Sequence, residues 1–136
     1  MRSLFESVRA ASVLIAVTAL AACGGDDAGT EPDEPTPGFL TVALETPNGT
    51  EGAVLFRIIG PSIEEVTAYA DGAIMESRTA GSTTTVALFG AFDSGPIARV
   101  AVPDTRASYT VQLQQVAASD NALRADLQSY ALSIGE

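Results

Sequence analysis

The chain has no histidine, no tryptophan and no lysine, and a single cysteine, Cys23, among its 136 residues. Missing histidine removes the commonest general base and a principal metal ligand. One cysteine leaves no thiol partner for a disulfide and too few thiolates for a zinc site. A concentrated basic surface is missing as well: beyond residue 22 the cations are Arg57, Arg78, Arg99, Arg106 and Arg124, scattered along the chain. Counterion release from phosphates needs such a surface, so nucleic-acid binding is excluded, and with it electrostatic docking on anionic lipid. Carboxylates, hydroxyls and arginine are what remain for chemistry. No Gly-x-Ser-x-Gly elbow occurs, and no serine has a histidine to activate it. A small hydrolase built on two carboxylates is therefore the remotest reading, and the expectation is a protein that is not an enzyme and takes no cofactor.

What is present begins with an address. Arg2 and Arg9 form a basic segment, and the apolar run from Ala10 to Ala22 is interrupted only by Ser12 and Thr18. A spanning helix needs about 20 apolar residues, so the run reads as a signal peptide, residues 1–22, rather than a membrane span. Leu20-Ala21-Ala22-Cys23, followed by Gly24-Gly25, resembles a bacterial lipobox. That resemblance implies cleavage after Ala22, lipid on Cys23 and a membrane-anchored lipoprotein. Each buried acyl methylene adds about 0.8 kcal/mol, so the two or three chains of a lipoprotein anchor it firmly. Gly24 in place of an acid resembles the default for the outer membrane; in a cell with one membrane the location is the outer face of the cytoplasmic membrane. Loss of Arg2, Arg9 and Glu6 with the leader makes a chain of net charge −10 one unit more acidic.

Residues 23–38 contain Cys23 and then GGDDAGTEPDEPTPG, rich in acids and proline and without a large apolar side chain. Such a segment cannot bury a core and is predicted to be a disordered tether. Residues 39–136 are enough for one domain. Their patterning has period two: Leu40, Val42 and Leu44 alternate with Thr41 and Ala43, and Val54, Phe56 and Ile58 alternate with Leu55, Arg57 and Ile59. Asp71-Gly72 is predicted to close a hairpin between Ile63–Ala70 and Ala73–Thr79, and Ala80-Gly81-Ser82 the next turn. Thr83 to Phe89, Ile97 to Val102, Tyr109 to Gln114 and Ser129 to Ile134 supply further strands. One short helical turn is expected between Ser119 and Gln128, capped by Asp120, with Leu123 and Leu127 on one side and Arg124 and Asp126 outside. The fold class is all-β, an antiparallel β-sandwich of seven to nine short strands.

Three segments carry a family resemblance: Gly52-Ala53-Val54-Leu55-Phe56, Thr84-Thr85-Val86-Ala87-Leu88-Phe89-Gly90 and Gly95-Pro96-Ile97-Ala98-Arg99-Val100. Together they resemble part of a cohesin-type module, a β-sandwich related to certain carbohydrate-binding modules. The resemblance covers about half of the domain and implies a sandwich used for recognition, without transferring a partner or binding residues.

Within the domain, the stretch from Phe89 to Pro96 is the most suggestive loop. Phe92 beside Asp93 and Ser94 is a combination able to stack on a sugar ring or peptide and hydrogen-bond to it. Glu64, Glu65, Asp71, Asp93 and Asp104 are oxygen ligands of the type calcium prefers, but no Asp-x-Asp-x-Asp-Gly run organises them, and they read as a solubilising surface with no metal site. Expected is a non-catalytic module that binds an envelope or extracellular protein or polysaccharide. The alternative is a structural lipoprotein whose sheet edge pairs with a neighbour in an envelope complex.

Overall fold

The computed structural model describes residues 33–136. The expected signal peptide, Cys23 and most of the expected acidic tether lie outside the described residues. Eight strands follow in order: β1 (Gly38–Glu45), β2 (Glu51–Ile59), β3 (Glu65–Ala68), β4 (Ile74–Ala80), β5 (Thr83–Phe92), β6 (Gly95–Val102), β7 (Thr110–Ala118) and β8 (Ala131–Gly135). They form two antiparallel four-stranded sheets, β3-β6-β1-β8 and β4-β5-β2-β7. The all-β sandwich expected from period two is what the chain builds.

Alternation explains the core. Leu40, Val42 and Leu44 of β1, Val54, Phe56 and Ile58 of β2, Val86 and Leu88 of β5 and Val100 and Val102 of β6 are all buried between the sheets. Each such side chain contributes about 1.5–3 kcal/mol on leaving water. Register shifts interrupt the alternation. In β6, Val42 pairs with Ala98 and Ala43 with Pro96, which leaves Ile97 as the extra residue, so Ile97 and Ala98 are buried in succession. In β2 the register slips between Glu51 and Ala53 against both neighbours: against β7 Gly52 is the extra residue, whereas against β5 the longer segment is Gly90-Ala91 of β5, between Phe89 and Phe92.

Successive strands change sheet at every connection except β4 to β5. That hairpin pairs Ala80 with Thr83 across Gly81-Ser82, and Gly81 takes φ 61° at the first central position, as a type II′ turn requires. The turn at Asp71-Gly72 is corrected: β3 pairs with β6 in one sheet and β4 with β5 in the other, so the dipeptide bridges the two sheets and closes no hairpin. Ile63 and Val66 turn toward the core on the β6 side, which a hairpin with the exposed β4 would not have allowed.

The expected helical turn is also corrected; among the described residues there is no helix. Residues 119–124 reverse the chain and return along β7. Asn121 adopts φ 66°, Ala118 N–H donates to Ala122 O at 2.9 Å, Arg124 N–H donates to Val116 O at 2.8 Å, and Leu123 bridges Ala117. Asp120 and Asp126 accept from the backbone two residues on, at 3.0 and 2.8 Å, which makes Asx turns rather than a helix cap.

The domain starts before Phe39. β1 begins at Gly38, Thr105 N–H donates to Thr36 O at 2.8 Å, and Arg106 reaches Glu34 O. Asp104 Oδ1 receives Thr36 N–H at 3.2 Å and Arg106 N–H at 3.1 Å, and these donors hold its carboxyl below the usual range. The last residues of the expected tether are thus fastened to the β6–β7 connection.

Candidate functional site

The outer face of β4-β5-β2-β7 carries the most distinctive surface. The odd-numbered residues from 53 to 59 in β2 and from 83 to 89 in β5 point away from the core, and several of them are apolar. Register places Ile74 opposite Phe89, Phe89 opposite Ala53, Ala53 opposite Ala117 and Ala117 opposite Leu123. An apolar row therefore crosses the whole sheet, with Ile74 64 %, Phe89 48 % and Leu123 66 % exposed. The next row contains Ala87, Leu55 and Gln115. Small residues make the floor and Phe89 and Leu123 the walls of an open groove of about 280 Å³, with the amides of Gln115 and Asn121 at its side. Arg57 follows on the same face, opposite Thr85. Such a surface excludes water from an inserted apolar side chain and offers a cation and amide dipoles at the margin. No hydroxyl, thiol or carboxylate is among the groove's lining side chains.

Phe92, Asp93 and Ser94 do not assemble into a ligand platform. Phe92 is 2 % exposed and belongs to the core, so it has no face to offer a ligand. The alternation that buries Val86 and Leu88, carried forward, puts Phe92 inside and Phe89 outside; that parity was the available signal for Phe89. Asp93 accepts from Thr50 Oγ1 at 2.8 Å. Ser94 Oγ accepts from Thr46 N–H at 3.0 Å and donates to Thr46 O at 3.3 Å. Both side chains tie the β5–β6 turn to the β1–β2 loop. Among the described residues, no three carboxylates, thiolates or imidazoles converge. Cys23 lies outside the described residues.

Beside that tie sits a group that period two places on the wrong face. Glu51 is fully buried. Its Oε1 accepts from Tyr130 OH at 2.7 Å, Thr46 Oγ1 at 2.8 Å and Asn48 Nδ2 at 3.1 Å, and its Oε2 from Arg124 Nε at 3.0 Å. Asn48 also donates to Tyr130 OH at 2.7 Å. Burial by itself pushes the Glu51 carboxyl up, but the donors outweigh it, Tyr130 first, and hold it below its ordinary value. Burial and the adjacent carboxylate raise the Tyr130 phenol, and the hydrogen bond to Glu51 raises Arg124. The cluster joins the β1–β2 loop, β2 and the β7–β8 connection. With its oxygens shared among four donors, Glu51 is a clasp and supports the segment that carries Leu123.

No family model, no curated protein and no solved structure matches the chain.

Proposed function

We propose that this chain is a lipid-anchored, non-catalytic recognition module, attached to the membrane through Cys23, whose outer face on β4-β5-β2-β7 binds a protein of the envelope or extracellular space. The observation that carries the reading is the apolar row from Ile74 through Phe89 to Leu123, which gathers three of the five exposed large apolar side chains among the described residues along one open groove. A protein suits this groove better than a polysaccharide. Its lining is alanine, leucine and phenylalanine with two amides, whereas a sugar needs several hydroxyl partners. Arg57 at the margin favours a partner segment in which an acid flanks the inserted apolar side chain. The cohesin-type resemblance agrees with a sandwich used for recognition, and Gly24 after Cys23 agrees with the outer membrane where the cell has one.

The test is capture from envelope extract by the full chain in non-ionic detergent, compared with Phe89→Ser. One protein enriched by the wild type, and weakened about tenfold or more by the variant at unchanged Tm, is the expected result. Equal capture by Phe89→Ser overturns the assignment of the groove.

A further inference from the structure

The four sheet edges are unequally protected. β3 has only four residues and β8 five, and the return of residues 122–124 partly covers β7. β4 runs seven residues, is exposed along nearly all of them, and pairs with β5 alone. A free edge of that length is a template for another strand.

Its hydrogen-bonding groups follow from the hairpin. Ala80 and Thr83 close a two-residue loop, so they form a hydrogen-bonded pair. Alternation from there turns the N–H and C=O groups of Met75, Ser77 and Thr79 away from β5, toward the open edge. Glu76 and Arg78 stand on the outer face, as the register mates of Ala87 and Thr85. Neither has an ion-pair partner among the described residues, whereas Arg106 and Arg124 pair with Asp104 and Glu51.

This strand is its own complement. A second copy of β4, laid antiparallel about a two-fold axis at Ser77, brings Ser77 against Ser77, Glu76 against Arg78 and Arg78 against Glu76. Ser77 then occupies a hydrogen-bonded position, and both charge pairs fall at non-hydrogen-bonded positions, where cross-strand side chains are closest. Sliding the copy by two residues either way sets Glu76 against Glu76 or Arg78 against Arg78. A single register satisfies the charges, and a two-fold interface closes on itself instead of growing into a fibre. We propose that the protein forms a two-fold dimer through β4, fusing two β4-β5-β2-β7 sheets into one continuous sheet. The proposal is independent of the groove and gives a definite form to the assembly reading of the free edge.

The experiment is native mass spectrometry of the full chain released from non-ionic detergent at micromolar concentration. Wild type is expected as a dimer. Arg78→Glu and Glu76→Arg are each expected to weaken dimerisation by about tenfold or more, because both symmetric pairs become repulsive. An equimolar mixture of the two variants is expected to restore a heterodimer, since every Glu then faces an Arg. A monomeric wild type, a dimer indifferent to both substitutions, or a mixture that fails to form the heterodimer would each overturn the proposal.

Discussion

Glu51 shows how much one residue does at the end of the sandwich. Four donors hold its carboxyl below the ordinary value against the opposing effect of burial. The unfolded chain titrates Glu near pH ~4.3. The stability from this depressed group is therefore fully present above that pH and is lost as pH falls through the lower folded-state value. Glu51→Gln is expected to cost about 2–3 kcal/mol at neutral pH, because charge-assisted hydrogen bonds are lost. The gap between wild type and variant in urea denaturation should narrow at pH 3; a gap that stays constant would show that the clasp works without its charge. Little of this cluster was legible in the sequence. Counting by twos from Val54 puts Glu51 outside, and the bulge at Gly52 against β7 returns it to the interior. Phe89 was legible by the same counting, since it lies three residues from Phe92 and must face the other way.

Strands as units were read well, and their partnerships were not. Alternation is local, so β1, β2, β5 and β6 stand out in the sequence, whereas sheet membership depends on contacts between distant segments. The turn at Asp71-Gly72 is a case in point: the dipeptide suits a hairpin, yet the exposed β4 and the half-buried end of β3 belong to different layers. The reversal at 119–124 replaced a helix because β7 has an open edge to pair with and Arg124 has a buried carboxylate to meet. The bulge in β2 is the feature on which these elements converge. A Cβ on Gly52 would lie 2.6 Å from Ala118 O and 2.8 Å from Ser119 Cα, both backbone atoms that cannot move aside cheaply. Gly52→Ala is expected to lose about 1–3 kcal/mol, as overpacking does, and to loosen the 119–124 return. Hydrogen exchange at the Arg124 amide, which donates to Val116 O, should accelerate in the variant.

At the scale of the whole molecule, a chain of net charge −10 is repelled by anionic lipid surfaces, so the membrane residence proposed for it would rest on the lipid anchor. Cys23→Ser is expected to shift the protein from the membrane pellet to the soluble fraction, and persistence in the pellet after a salt wash would remove the lipid reading. The order of the strands has a further bearing on how such a chain comes to exist. β1, the first strand to emerge, has β6 and β8 as its neighbours, and β2 has β5 and β7. Neither sheet can close until its last segment is delivered. In a chain delivered N-terminus first, β2 therefore waits for β5 and β1 for β6 before either central strand has a partner. Pairing of the central strands then proceeds at the slow pace that contacts across long stretches of sequence impose.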